Sequence, residues 1–369
     1  MEMFERLWDF FVDSMTVLFL PVVCSYFTMT TSLFLNTSAQ DAEGLEKAGN
    51  VLLAPFQYLF AGYEATQNKN GNWEFGQRFD YDENFWPKAA GSAAVLPPSL
   101  LLGCTIKGLS YLNEKTRSRY AEIKASWNSI SVSSNRNLYL KLGINLGNPS
   151  QAEPFLSEGH KRRPGDEKHL QIEKKAVSEI TAILNENDIP WWVDCGTCLG
   201  VYRYGGIIPW DFDIDIAVLQ PDFENVRRAL NKLDRKKYLV QDWSSREHPQ
   251  SYIKVYIRET GALIDIYHFA IHPETKTIQY ILALENNIFF PEWWKIRERR
   301  FKIPASFETV FPLKKAMLDE IEVFVPHDCK KYLQRYYGEN LSPAKVYDPI
   351  TNRYEKDFSH PYWQRAYAH

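Results

Sequence analysis

Cysteine is scarce: Cys24, Cys104, Cys195, Cys198 and Cys329 are all that 369 residues hold. An odd, sparse set in so long a chain excludes a disulfide framework and points to a reducing compartment for most of it. Charge of one sign is also lacking. The net value is −3, so no global field draws this chain to nucleic acid, and a polyanion would have to meet a local basic patch. No nucleic-acid partner is expected. Internal repeats and low-complexity tracts are missing. The start, "MEMFERLWDF", is acidic and lacks a small-residue cleavage site, which argues against a removable signal peptide.

Charged residues are absent from Ser14 to Gln40, where Val17–Leu20, Val22–Val23 and Leu33–Leu35 are strongly apolar. A span of about 20 mostly apolar residues can cross a bilayer, although Pro21 and the cluster "TMTTS" make insertion less favourable. A second uncharged run, Ala89–Ile106, is broken by Pro97 and Pro98, and "NVLLAPFQYLFAGY" lies between the two. Imperfect apolar runs of this kind read as broken helices or as segments dipping into one leaflet, with a buried helical subdomain as the alternative. Lys107, Lys115, Arg117 and Arg119 follow closely and favour a cytoplasmic side for what comes next. These features set the expected organisation. Residues 1–115 form a membrane-associated helical region, 116–168 a connection with a Pro/Gly-punctuated linker, 169–345 a catalytic domain, and 346–369 a tail.

Within the third segment, apolar residues at helical spacing (Ile172, Ala176, Ile180, Ile183, Leu184) predict a helix that ends before Pro190. "PDFENVRRALNKLD" predicts another, with Pro221 in its first turn. "SYIKVYI" and "ALIDIYHF" alternate as strands joined by "RETG". The fold class is therefore α/β or α+β, a mixed sheet flanked by helices.

The stretch "GIIPWDFDIDIAV" places Asp211, Asp213 and Asp215 at alternate positions. On a strand these share one face, roughly 6–7 Å apart, while Phe212, Ile214 and Ile216 share the other. Such carboxylates repel by about 2 kcal/mol per pair at an effective dielectric near 20, unless a cation lies between them. Asp265, between Ile264 and Ile266 on a predicted strand, is costly to bury alone. If its strand neighbours the first, it completes a carboxylate cluster suited to Mg²⁺ or Mn²⁺ and to two-metal phosphoryl transfer. A solvent-facing polar edge is the bland alternative. Just upstream, "DCGTCLGVYRYGG" supplies Gly196, Thr197 and Gly200 ahead of a helical turn, where backbone amides and a hydroxyl can approach phosphate.

Together, "DCGTCLGVYRYGGIIPWDFDIDIAV", "IDIYHF" and "FPLKKAMLDEIEVFVPHDCKKYLQRYYGENLSP" resemble the signature of the LicD/fukutin-related family, a branch of the nucleotidyltransferase superfamily. The resemblance runs from about Leu170 to Pro343 and leaves out the first 115 residues. It implies a nucleotidyltransferase-like fold and transfer of a phospho-alcohol (phosphocholine, ribitol phosphate or glycerol phosphate) from a CDP-linked donor to a glycan or glycolipid hydroxyl, with release of CMP. It assigns metal binding and catalysis to Asp213, Asp215 and Asp265, with Asp211 as an alternative in a second register of the motif. It assigns donor phosphates to Gly196, Thr197 and Arg203, and Lys254 on the adjacent strand is a further candidate. Asp215 or Asp265 would assist deprotonation of the acceptor. Transfer of NMP to a hydroxyl, a nucleotide-sugar glycosyltransferase and an inactive membrane scaffold are the alternatives.

Three other signals are read as structural. Cys195 and Cys198, with His327 and Cys329 as distant partners, are assigned to packing rather than to zinc or redox chemistry. His268 falls on the face opposite Asp265 and is expected to be a core histidine, whereas His248 and His272 lie near the strand pair. "EWWKIRERRFK" reads either as a solvated helix or as a contact for an anionic acceptor or membrane surface.

Overall fold

The structure, a computed structural model, describes residues 42–61, 63–67, 69–77, 85–126, 132–152, 167–211, 213–234, 236–244, 248–283, 285, 292–351, 353–365 and 368. The uncharged run from Ser14 to Gln40 and most of the expected linker lie outside them. The described residues fall into two compact units, 42–126 and 132–368.

The first unit is helical around one hairpin. Helix α1 (Gly44–Leu52) precedes strands β1 (Tyr63–Gln67) and β2 (Trp73–Gln77), which pair antiparallel. Helix α2 (Phe85–Ser110) and helix α3 (Glu114–Ser126) follow. Pro97 and Pro98 do not break α2, contrary to the sequence expectation. Proline removes a helical hydrogen bond and crowds the preceding turn, yet the helix runs on for 26 residues in all. Helices α1 and α2 touch at glycines. A Cβ at Gly49 would fall 2.8 Å from that of Lys107, and one at Gly103 would meet the Leu53 side chain at 2.6 Å. The outer surface of α2 is apolar: Leu101 is 70% exposed, and Trp86, Val95, Leu102 and Leu109 are exposed as well. By length and composition Trp86–Ser110 suffices to cross a membrane, and only 11% of its apolar window is buried.

The second unit is a mixed α/β structure, as the periodicities predict. In chain order it contains β3 (Ser150–Gln151), α4 (Glu167–Glu186), β4 (Trp191–Val193), α5 (Cys195–Tyr204), β5 (Asp213–Leu219) and α6 (Phe223–Ala229). Next come β6 (Tyr238–Asp242), β7 (Tyr252–Ile257), β8 (Leu263–His272), β9 (Thr277–Tyr280) and α7 (Glu292–Glu298). The chain continues through β10 (Ala305–Ser306), β11 (Lys314–Leu318), β12 (Ile321–Val325), α8 (Cys329–Tyr337), β13 (Lys345–Asp348) and β14 (Arg353–Lys356). The helix expected from Pro221 is shorter than its apolar spacing suggested, ending in a 3₁₀ turn after Ala229.

Strand β8 is the hub of a seven-stranded sheet. One edge pairs in parallel with β5, and the other pairs antiparallel with β7 and then with β9. Strand β5 pairs with β4 on its far side. Alternation along β5 divides its side chains between two cores. Ile214, Ile216 and Val218 join Ile253, Val255, Ile264 and Ile266 against the buried face of α4, where each fully buried aliphatic is worth roughly 1.5–3 kcal/mol. Ala217 and Leu219 enter a second core with Trp192, Phe269 and Tyr336. Asp213 and Asp215 share the parity of this second set, so the carboxylates sit where a packed aromatic core gives way to a polar site.

Candidate active site

The parallel pairing of β5 with β8 sets Asp215 directly opposite Asp265, with Asp213 opposite Leu263. Asp213, Asp215 and Asp265 each offer a carboxylate oxygen, and these oxygens lie within 4.8 Å of one another. Asp215 and Asp265 are 5% and 4% exposed, which leaves little water to absorb their charge. Burial pushes the Asp215 carboxyl well above the usual range, and Asp213, Asp265 and Asp211 add to the rise. Burial also raises Asp265, but Lys254 opposes it. Lys254 stands across from Asp265 in the β7–β8 register, and its Nζ lies 3.2 Å from Asp265 Oδ1.

Aromatic groups complete the frame. The Tyr267 hydroxyl donates to Asp265 Oδ2 at 3.2 Å, two residues along the same strand and therefore on the same face. Its ring stacks on that of Tyr252, the cross-strand partner, with centroids 4.9 Å apart. The Lys254 ammonium lies 5.2 Å from the ring centroids of both Trp243 and Tyr252, a cation–π arrangement.

Helix α5 brings its N-terminus to the same strands. Asp194 occupies the N-cap position in an extended conformation, and Cys195 follows with φ of +44°. A left-handed residue other than glycine stores strain, and such residues cluster at functional sites. The Asp194 carboxylate is buried and accepts from the Tyr332 hydroxyl at 2.8 Å. At the other end Gly205, with φ of +64°, closes the helix in a left-handed cap. A Cβ at Gly196 would displace the Asp211 carboxylate from its present position. Gly200 would meet the Gly206 carbonyl at 2.5 Å.

Residues 188–328 match the family described as LicD/FKTN/FKRP, nucleotidyltransferase domain. An uncharacterized protein of Rickettsia prowazekii is 31% identical over 185 residues, which are 48% of this chain and 60% of that protein. The human ribitol 5-phosphate transferase FKRP is 22% identical over 128 residues, 33% of this chain and 25% of its own length. The human ribitol-5-phosphate transferase FKTN is 40% identical over 56 residues, 14% and 12% of the two chains. The chain thus spans less than two thirds of the length of each of these relatives.

Within the matched stretch the carboxylates expected from the sequence come together, with Asp211 just ahead of β5 rather than on it. Gly196 and Thr197 sit in the first turn of α5, not in a loop preceding a helix. The buried Thr197 hydroxyl accepts the Asp215 backbone N–H at 2.9 Å, which ties the helix start to the carboxylate strand.

Arg203 departs from its assignment to donor phosphate. It is 6% exposed, and its Nε and Nη2 donate to the Leu341 and Ser342 carbonyls at 2.6 and 2.7 Å. Two turns beyond the start of α5, its donors serve the fold.

The cysteines pack as expected, with Cys198 Sγ lying 3.5 Å from that of the distant Cys329, both buried. The Asp213–Asp215–Asp265 group is the metal-capable cluster found among the described residues, and it contains no cysteine or histidine. His268 is fully buried with its ring centroid 4.8 Å from that of Phe223, and burial lowers it to about 3.

Sequence reasoning gave no role to Asp194, Tyr267 or Glu298. Parity with Asp265 was a usable signal for Tyr267. Glu298 raises no local signal, yet it acts electrostatically on Cys195 and is itself raised in part by Asp213.

Proposed function

We propose that the LicD-type domain transfers a phospho-alcohol from a CDP-linked donor to a glycan or glycolipid hydroxyl, releasing CMP. The observation that carries this reading is the convergence of Asp213, Asp215 and Asp265 within 4.8 Å on adjacent parallel strands, two of them buried. The likeness to two ribitol-phosphate transferases supports the chemical class. The donor set fits a hard divalent cation, Mg²⁺ or Mn²⁺: it is all carboxylate oxygen, and Asp215 and Asp265 are both buried. A cation bound there would supply positive charge at the oxygens entering and leaving the phosphorus.

The chain's own groups then divide the work. Asp213 and Asp215 present oxygens from one strand edge, and Asp211 lies beside Gly196 at the start of α5. Lys254 and Tyr267 hold the two oxygens of Asp265, fixing the carboxylate in one orientation. The first-turn amides of α5 offer N–H groups to donor phosphate where no side chain at Gly196 intervenes. A carboxylate of the cluster, Asp215 or Asp265, accepts the acceptor hydroxyl proton. Helix α2, apolar and little buried, associates with a membrane, and Lys115, Arg117 and Arg119 beyond it favour a cytoplasmic catalytic domain.

The test is a donor screen with the full chain in detergent, using CDP-choline, CDP-ribitol, CDP-glycerol and CDP-ethanolamine. CMP release that depends on Mg²⁺ or Mn²⁺ and disappears in Asp213→Ala and Asp215→Ala is expected. Pyrophosphate release from NTPs instead would mean NMP transfer, and full turnover in both variants would refute the assignment.

A further inference from the structure

Aromatic side chains flank the carboxylates at both ends, in two different arrangements. At the Asp265 end the Tyr252 and Tyr267 rings are near parallel, 13° apart in plane with centroids at 4.9 Å, so each covers a face of the other. Lys254 and the Tyr267 hydroxyl are committed to Asp265 as well. At the Asp211 end the rings are tilted instead. Trp210 and Tyr354 meet at 50° with centroids 4.7 Å apart, and Tyr347 and Tyr354 meet at 62° and 5.4 Å. Rings at such angles form a corner and leave π-faces for a third ring. Trp210, Tyr347 and Tyr354 are each half-buried.

Chain connectivity places this corner at the site. Trp210 directly precedes Asp211 and stands three residues before Asp213, so its Cα lies within about 11 Å of the Asp213 Cα. Asp211 in turn lies against Gly196 in the first turn of α5, where the functional reading puts donor phosphate. The β13–β14 hairpin, beyond the matched residues 188–328, supplies the other wall. Its register sets Tyr347 opposite Tyr354 and Lys345 opposite Lys356, and strand alternation gives all four one face. Lys345 Nζ lies 5.5 Å from the Trp210 ring centroid, so this face packs toward Trp210 and brings a cation with it. A flat ring joined to a polyanion suits such a corner: the ring stacks, and the ammonium attracts the charge. A nucleoside diphosphate has both parts. With its phosphates at the carboxylate row and the α5 amides, its base comes within reach of Trp210.

We propose that Trp210 and Tyr354 stack on the nucleobase of the nucleotide-linked donor, with Lys345 beside them; this rests on the functional reading above. Calorimetry of the full chain in Mg²⁺ tests it by comparing CDP with inorganic pyrophosphate, which lacks the base. The wild type should bind CDP more tightly. Tyr354→Leu and Trp210→Leu keep apolar volume and lose the π-face. Each should weaken CDP binding by roughly 5- to 150-fold and leave pyrophosphate binding unmoved. Tyr354→Phe keeps the face and should bind CDP like the wild type. Equal losses for CDP and pyrophosphate would overturn the proposal, since a disturbed carboxylate row gives that result. Unchanged CDP affinity would overturn it too, as would a raised acceptor KM with CDP affinity intact, which assigns the corner to the acceptor. Should the leucine variants fail to fold, saturation-transfer NMR of CDP on the wild type decides. Stronger transfer to the base protons than to the ribose protons supports the stack, and the reverse order refutes it. If the wild type turns over no CDP-linked donor, the functional reading fails. The corner is then judged by binding alone: a CDP preference over pyrophosphate that the leucine variants lose supports it, and no such preference in the wild type refutes it.

Discussion

Neutralising Asp215 should stabilise the metal-free protein and abolish its stabilisation by metal. The carboxylate oxygens of Asp213, Asp215 and Asp265 lie within 4.8 Å of one another. At an effective dielectric near 20, two unit charges at that spacing repel by about 3 kcal/mol. Two effects shrink this. Asp213 is half-exposed, so solvent screens it, and burial, with the neighbouring carboxylates, raises the Asp215 carboxyl, so it carries its charge less readily. Lys254 offsets part of the Asp265 charge. A net gain of about 1–2 kcal/mol for Asp215→Asn in EDTA follows, a rise in thermal midpoint of roughly 2–6 °C for a unit of this size.

Saturating Mn²⁺ should reverse the ranking, because a ligand at about 100 times its Kd stabilises the native state by about 2.7 kcal/mol and the variant loses a ligand. The pH dependence has a definite sign. A folded pKa raised above the unfolded value contributes stability that is complete below about pH 4 and is lost as pH rises through the folded value. Metal-free wild type should therefore weaken as pH rises from 4 toward neutrality, and Asp215→Asn should show less of that slope. Differential scanning calorimetry of both proteins in EDTA and in Mn²⁺ checks this. An Asp215→Asn protein that is less stable in EDTA and equally stabilised by Mn²⁺ would refute the electrostatic reasoning.

Arg203→Lys should cost roughly 2–4 kcal/mol, because two charge-assisted hydrogen bonds to the Leu341 and Ser342 carbonyls are lost; urea denaturation should register this while donor KM stays near wild type. Thr197→Val should cost about 1–3 kcal/mol by leaving the buried Asp215 N–H unpaired, and should lower metal affinity by loosening the carboxylate strand. His268→Phe should be neutral or stabilising by about 1 kcal/mol at pH 7, since neither ring nitrogen has a partner among the described residues. Because burial lowers His268 from 6.5 to about 3, its contribution is complete above pH 6.5 and lost as pH falls toward 3. The variant should resist acid over that window in equilibrium denaturation.

Local periodicity made the carboxylate strand, the pair joined by "RETG" and the helix before Pro190 legible, because side-chain parity and helical spacing are properties of short segments. The register that sets Asp215 opposite Asp265 was expressed only as a condition, since pairing between strands about 50 residues apart is decided by the whole sheet. Arg203 was misread for a related reason. Its residue type and motif position suit phosphate, but the carbonyls that take its donors lie 138 and 139 residues downstream. The Cys198–Cys329 approach spans 131 residues, so the sequence could name Cys329 only as a distant partner of the pair. The tail beyond residue 345 carried no signal, yet β14 sets Tyr354 with its ring centroid 4.7 Å from that of Trp210, beside the carboxylate row.

The central claim is that three aspartates from two neighbouring strands hold a divalent cation. An anomalous difference map from Mn²⁺-soaked crystals of the full chain tests it most directly. The account predicts a peak within bonding distance of Asp213, Asp215 and Asp265 that vanishes in Asp215→Asn. A map with no peak there, or with manganese bound elsewhere and untouched by that substitution, would contradict it.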